Sequence, residues 1–380
     1  GYNYWGQYLS HVSSMALALA VMLVLHRLPP KPIISLLFVF GIVFFFLVLI
    51  CPIFGASING AKRTIFGIQP SDCIKPCLIV FSAMCLAGGM SMKNEGKGFS
   101  WSKGNIFKLT PPKWLWVVVC SLVCGCVALE NGSQAVMIGF TLFCIAMLAG
   151  VPLKHFAIYF GMIFGLVAFI AAVFMIQLDD KGHSQLGIFQ KGALHRCETW
   201  YHRIQNAGDA DSNPIGPDFD FMKDEQANHG KVAVAQSKGW GRGVIGNTER
   251  SVLPLAFSDF IFASIVEMSG VIGAVIILLL YGSLFFITIR WAMKTESPRN
   301  ALILFGSGAM ITIQALVNML VGSGAFVTGQ PLPFVSKGGQ SMLVCAVMIA
   351  LVQSVIKTEM DKKDENKKVK VKVAKAEEAE

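Results

Sequence analysis

Leu253-Pro254-Leu255-Ala256-Phe257-Ser258-Asp259-Phe260-Ile261-Phe262 is the stretch on which the reading of this chain turns, because a long polar segment ends there and an apolar run to about residue 289 begins. A run of that length crosses the roughly 30 Å of bilayer hydrocarbon as a helix. A carboxylate at its entrance is expensive, about 2.5–3.5 kcal/mol for an acidic side chain carried into a spanning segment, and such groups usually face a cavity, a partner or a substrate. Asp259 is therefore a candidate functional residue. Its plain alternative is a helix-start carboxylate beside a Ser258 cap, favoured by the helix dipole. A general base wants a raised pKa, so apolar burial would have to outweigh that dipole. Glu267 follows eight residues later, roughly 12 Å deeper, too far to share a substrate atom with Asp259. It is expected to pair with a buried cation or hydrogen-bond donor.

The rest of the chain has the same membrane character, with 54% hydrophobic and 14% charged residues and a mean hydropathy of +0.59. Apolar stretches of spanning length run over about 10–28, 33–53, 72–90, 114–130, 134–151, 155–177, 258–289, 299–322 and 338–357, predicting an all-α, polytopic fold with nine transmembrane helices. Lysine and arginine collect on one side, at Arg27, Lys31, Lys93, Lys97, Lys103, Lys108, Lys113, Lys154, Arg290, Lys294 and Arg299, and in the tail. By the positive-inside rule that side, with the C-terminus, is cytoplasmic. The opposite face carries Lys62, Arg63, Lys337 and one large loop, 178–257, within a membrane domain of residues 1–357. This orientation puts Gly1 outside and predicts a further helix ahead of it.

Other features exclude more than they assign. All cysteines except Cys197 lie in or beside apolar segments, where the thiol acts as a small hydrophobe, so no disulfide framework follows. His183, His195, His202 and His229 match no zinc spacing. The tail, 358–380, clusters Lys367, Lys368, Lys370 and Lys372 before an acidic end, and is expected to be disordered and membrane-apposed. The +9 net charge resides in these cytoplasmic segments and does not point to nucleic acid.

Two further constellations flank the outer face. The first is Asn59-Gly60-Ala61-Lys62-Arg63, then Gln69-Pro70-Ser71-Asp72 and Lys75. Pro70 sets an entry turn, Ser71 is expected to cap the next helix, and Asp72 suits its first turn. Lys75 opposes the dipole. It either pairs with Asp72 three residues earlier or, with Lys62 and Arg63, presents positive charge to an anion. The second is Gln314 and Asn318, on one helical face, followed by Thr328-Gly329, Pro331-Leu332-Pro333-Phe334-Val335 and Ser336-Lys337-Gly338-Gly339-Gln340-Ser341. Here a glycine-rich helix entrance and Lys337 could hold an anion, or proline and glycine could simply mark a tight turn. Gln314 and Asn318 suit either interhelical hydrogen bonds or a polar cavity.

Taken in order, Asn59-Gly60-Ala61 with Arg63, Gln69-Pro70-Ser71-Asp72 with Lys75, Ser258-Asp259-Phe260-Ile261-Phe262, and Pro331-Leu332-Pro333 with Ser336-Lys337-Gly338-Gly339 resemble the SEDS family (shape, elongation, division and sporulation) over nearly the whole chain. The resemblance implies ten transmembrane helices, of which the first is missing here, and polymerisation of peptidoglycan glycan strands from lipid II. It makes Asp259 the catalytic residue and puts the family's acidic residue and lysine on Asp72 and Lys75. Departures are Asp72 where the family has Glu, Thr64 and Lys337 where it has aromatics, and Met268 where it has a second acid. Lys337 and the Glu130-Asn131-Gly132-Ser133 turn resemble the division branch more than the elongation branch.

The chemistry this implies is proton removal by Asp259 from an acceptor sugar hydroxyl, which attacks the anomeric carbon of a polyprenyl-pyrophosphate-linked glycan with inversion. The pyrophosphate needs cations rather than a second carboxylic acid, which separates the reaction from glycoside hydrolysis. Arg63, Lys62, Lys75 and Lys337 are the candidate cations, with Gln69, Asp72, Ser71, Ser336, Gly338, Gly339, Gln314, Asn318 and Glu267 as candidate substrate-binding neighbours. No cofactor is demanded, and a Mg²⁺ or Mn²⁺ ion is left open. The resemblance implies lipid II and the nascent strand as substrates, a class B penicillin-binding transpeptidase and other division-site proteins as partners, and the bacterial inner membrane at the septum as location. A flippase for lipid-linked precursors and a scaffold that docks proteins on its polar loop are the rival functions.

Overall fold

Proline marks the entrances of the helices. Fixed near the helical φ and lacking an N–H that the first turn could not use, it opens α2 (Pro30–Phe54), α3 (Pro70–Leu86), α4 (Pro111–Glu130) and α8 (Pro298–Gly322). The structure, a computed structural model, describes residues 4–58, 61–87, 111–151, 225–243, 257–324 and 328–377. Its other helices are α1 (Tyr4–Leu25), α5 (Gly132–Leu148), the short α6 (Glu225–Gln236), α7 (Ile261–Ala292) and α9 (Gly339–Glu377). The chain is an all-α polytopic membrane protein. Helices α1, α2, α7, α8 and α9 are long and apolar enough to cross a bilayer, and α4 and α5 are shorter apolar helices. The expected span at 155–177 and most of the loop at 178–257 lie outside the described residues.

Helices α3 and α8 form the centre. Helix α8 packs on α3, α5, α7 and α9, and α3 also on α2 and α4. Small residues permit the approach: a Cβ on Gly306 would sit 2.7 Å from Ile145 Cδ1 and 2.9 Å from Ile79 Cγ2. Leu302, Ile303, Leu304, Met310 and Ile311 of α8 are enclosed with Ile79, Val80, Ile138 and Ile145 in one core. The outer helices keep apolar side chains on their free faces, as on α7 with Val271, Ile272, Leu279 and Leu280, which suits a lipid surround.

Between α2 and α3 the strands β1 (Ala56–Ile58) and β2 (Ala61–Thr64) form an antiparallel hairpin, which defines one end of the bundle as the hairpin end. A second tight turn follows, in which Ile65 and Ile68 exchange backbone hydrogen bonds around Phe66 (φ 52°) and Gly67 (φ 76°). Positive φ at both central residues is the type I′ pattern. Phe66 stands fully out of it, 95% exposed.

Helix α7 is broken at Gly270 (φ 67°, ψ −156°), a conformation open to glycine alone. The loop segment after α6 fills the break. Arg242 N donates to Glu267 O at 2.8 Å, Gly243 N to Met268 O at 3.0 Å, and Val271 N to Gly239 O at 2.9 Å. Backbone groups released by the kink are thus satisfied by loop backbone, as a low-dielectric setting requires. Glu267, one turn above the break, is fully enclosed, well below the surface as expected.

Two local expectations change. Ser71 does not cap α3. Gln69 holds the cap position without a side-chain bond, because Pro70 starts the helix one residue earlier. The tail is not disordered from residue 358, since α9 continues to Glu377. Its lysines, glutamates and alanines are good helix formers, and the membrane segment has already supplied the nucleus that an isolated helix lacks. At that end Asn300 Nδ2 donates to Glu359 at 3.0 Å, and Lys294 and Lys363 stand over the Trp291 ring at 5.9 and 5.5 Å.

Candidate functional site: the Asp259 turn and the polar layer behind it

Asp259 sits in the turn Phe257–Phe260, two residues ahead of α7, and does not cap it. The cap position is Phe260, with no side-chain hydrogen bond, and Ser258 Oγ instead donates to Asp259 Oδ1 at 3.0 Å. Three successive carbonyls of the turn each receive a donor from the segment around α8 and α9. Lys337 N reaches Phe257 O at 2.8 Å, Ser336 Oγ reaches Ser258 O at 2.6 Å, and Asn318 Nδ2 reaches Asp259 O at 2.8 Å. Phe260 then anchors the turn in a cluster with Ala233 of α6, Ala263 and Val321. The backbone of Asp259 is thereby fixed on three sides while its carboxylate stays half-buried.

The carboxylate lies against Gly329, where an added Cβ would be 3.3 Å from Oδ2. Burial pushes its carboxyl above the ordinary value of 3.8, opposed by the Ser258 hydroxyl and by the positive charge of Arg63. Burial thus outweighs the Ser258 hydroxyl and the Arg63 charge, both of which favour the ionised form. Arg63 of β2 also lies in electrostatic range of Glu130, which is 1% exposed at the end of α4 beside the Cys51 thiol and Ser71 hydroxyl. One guanidinium thus serves two carboxylates. Lys62 shares β2 with it, and its side chain lies outside the described residues.

Behind the turn runs a buried polar layer. Lys75, 1% exposed, places its ammonium 2.6 Å from Asp72 Oδ1 and 3.3 Å from Gln314 Oε1. Gln134 Nε2 also donates to Asp72 Oδ1 at 2.7 Å. Gln314 Nε2 goes on to Pro331 O at 3.0 Å and Ser341 Oγ at 3.3 Å. Gln340 clips the starts of α9 and α3 together, accepting from Gln69 N at 2.9 Å and donating to Gln69 O at 2.7 Å. Of the two accounts of Lys75, the ion pair is the one this geometry displays. Gln69, Ser71 (0% exposed), Gln314 and Asn318 likewise have their polar groups turned into the layer, and Ser336 Oγ is engaged by Leu332 N at 2.6 Å as well as by Ser258. Gln314 makes interhelical hydrogen bonds, to Lys75 of α3 and Ser341 of α9, whereas Asn318 bonds the non-helical backbone of Asp259 and Gln330.

The two glycines at the start of α9 sit in different surroundings. Ser14 of α1 approaches to 2.8 Å of where a Gly339 Cβ would be, and Gly338 O accepts from Met342 N at 2.9 Å. Close approach of α1 is what Gly339 meets, while a Cβ at Gly338 would find only ordinary contacts, 3.7 Å from Ser341 and 3.8 Å from Pro331. Lys337 stays half-buried beside the Asp259 turn through its backbone bond. Sequence reasoning missed Gln134 and Glu130 as members of this region, and named Gln340 without its partner Gln69. Glu130 carried a signal, an acid ending an apolar helix, but the glutamines show their partners only once helices distant in sequence are packed together. Among the described residues no cluster of His, Cys, Asp or Glu could hold a metal ion.

Comparison with known proteins agrees with the fold and with the order of these motifs. The sequence profile of the FtsW/RodA/SpoVE cell cycle proteins matches residues 2–361. The probable peptidoglycan glycosyltransferase FtsW of Saccharophagus degradans is 30% identical over 81% of this chain and 72% of its own length. Stage V sporulation protein E of Bacillus subtilis is 28% identical over 83% of this chain and 76% of its own. Among solved structures, a chain from a peptidoglycan synthase complex superposes with a TM-score of 0.65 at 21% identity, covering 93% of this chain and 90% of that one. The Thermus thermophilus rod shape determining protein RodA gives 0.59 at 19% identity over 92% and 87%. A profile spanning nearly the entire sequence, with the matching fold, makes this chain a member of the SEDS family of FtsW, RodA and SpoVE.

Proposed function

We propose that this protein is a peptidoglycan glycosyltransferase that polymerises lipid II, with Asp259 as the general base. The observation that carries the reading is the Asp259 turn: a carboxylate with raised proton affinity, its backbone held by Lys337, Ser336 and Asn318, and its side chain left half-exposed beside Arg63. Names of relatives as peptidoglycan glycosyltransferases support it. Asp259 takes the proton from an acceptor sugar hydroxyl as the oxygen bonds to the anomeric carbon. The carbon–oxygen bond to pyrophosphate breaks on the opposite face, giving inversion. Arg63, with Lys337 at the rim, stabilises the charge that develops on the leaving pyrophosphate. Lys75 acts from behind, neutralising Asp72 and orienting Gln314.

In this reading the hairpin end is extracytoplasmic and the end of α9 cytoplasmic, in the bacterial inner membrane. The relatives named FtsW favour a role at the division septum, and a structural likeness to a peptidoglycan synthase complex favours a class B penicillin-binding transpeptidase as partner. The test is purified protein with lipid II and no other polymerase. Glycan chains are expected, and Asp259→Asn should reduce turnover about 10²- to 10⁴-fold, the usual share of a positioned base. Translocation of lipid II without polymer would establish a transporter instead.

A further inference from the structure

We propose that Asn318 is a positioning residue for Asp259, holding the catalytic turn and the loop segment that faces it at a fixed separation without touching substrate. This inference rests on the glycosyltransferase reading. Asn318 is fully enclosed near the end of α8, and its side-chain amide donates twice: to Asp259 O at 2.8 Å and to Gln330 O at 2.7 Å. Both hydrogens of Nδ2 are used, and Oδ1 is enclosed and accepts no hydrogen bond among the described residues. A sugar hydroxyl cannot reach a group so placed, which removes the substrate-ligand role that its helical face first suggested.

The two carbonyls it joins belong to irregular backbone on either side of the reacting oxygen. One is that of Asp259 itself. The other follows Gly329, whose Cα faces Asp259 Oδ2 closely enough that a Cβ would stand 3.3 Å from it. The second bond keeps the 329–330 segment against the carboxylate and so limits how far that oxygen can swing. Ser336 and Lys337 hold the preceding carbonyls, and among the described residues no other hydrogen bond ties Asp259 O to Gln330. Misplacing a reacting group by about 1 Å is enough to lower the rate about 10²-fold.

The experiment uses the full chain purified in lipid nanodiscs with lipid II as substrate, comparing Asn318→Leu, Asn318→Asp and Asn318→His with Asp259→Asn. Removing both donors in Asn318→Leu should lower kcat about 10²-fold with KM changed less than about twofold. It should also displace the acid limb of the pH–rate profile, because the carboxylate shifts relative to Ser258 and Arg63. Asn318→Asp, of equal size with an acceptor for a donor, should behave in the same way. Asn318→His, which keeps one ring N–H, should recover part of kcat and of the profile. A parent-like kcat and profile in Asn318→Leu would overturn the proposal. So would a loss confined to KM, which marks a substrate ligand, or failure of all three variants to fold, which marks a folding residue. If Asp259→Asn polymerises normally, the general-base reading itself falls, and that outcome is distinct from an inactive Asp259→Asn beside a normal Asn318→Leu.

Discussion

At the scale of one residue, Asp259, the proposed base, shows how burial raises the proton affinity of an ordinary acid. Its carboxyl binds a proton more readily in the folded protein than the ordinary 3.8, because burial disfavours the charge. As pH falls through that raised value the carboxylate is protonated and the base is lost, so the acid limb of kcat/KM should lie above the range of an exposed aspartate. Arg63 opposes the shift, and Arg63→Gln should move the limb to higher pH still, as a pH–rate series on both proteins would reveal. The same shift has a stability consequence with a definite sign. Below pH 3.8 the group is neutral in both states, and between 3.8 and the raised folded-state value the unfolded chain ionises first, so the folded form loses stability across that window and keeps the full loss above it. Asp259→Asn should therefore be at least as heat-stable as the parent at pH 7 while being far less active. A lower melting temperature for that variant would mean the carboxylate serves the fold. The position of this residue was legible in the sequence, since an acid at the mouth of an apolar run is visible in one dimension. What sequence could not show was that the helix starts two residues later, which frees Asp259 from the capping role a serine neighbour suggests.

At the scale of an element, α7 is two helices joined by a weld. Its upper part follows directly from the Asp259 turn, and the kink at Gly270 joins it to the loop segment 239–243 through three backbone hydrogen bonds. A Cβ on Gly270 would strike Gly239 O and the Trp240 backbone, and the backbone conformation itself excludes other residues. Gly270→Ala should lower stability by about 1–3 kcal/mol, read as an earlier thermal transition and faster proteolysis near Trp240, with activity falling because the upper part of α7 loses its brace. Unchanged protease sensitivity would argue that the loop segment is held by other contacts. The apolar run of α7 was legible, and Gly270 within it was not, because a glycine in a membrane helix usually means close packing. The tail shows the opposite limit: residues 358–377 read as disordered by composition, yet they extend a helix already begun, which composition alone does not weigh.

At the scale of the molecule, the helices at the hairpin end meet through one polar layer rather than through apolar packing alone. Asp72 and Lys75 of α3 take Gln134 from α5 and Gln314 from α8, and Gln314 reaches Ser341 of α9. Individual residues of this layer were visible in the sequence, but their roles were not, because a buried cation reads alike whether it awaits an anion or already has one. The two roles separate under paired substitution. Lys75→Met leaves Asp72 as an enclosed charge without its ammonium, a change that typically costs about 3–5 kcal/mol, and should sharply reduce folded protein. Asp72→Asn with Lys75→Met removes both charges while keeping size, and should restore most of that loss, since replacing a buried pair is often neutral. Catalysis then decides what the pair is for. If Lys75 serves only to neutralise Asp72 and orient Gln314, the double variant regains measurable polymerisation of lipid II. If its ammonium must leave Asp72 to meet the pyrophosphate, the double variant folds and stays inactive. Melting temperature and turnover measured on the same preparations separate the two, because a structural latch moves them together and a catalytic cation moves turnover alone.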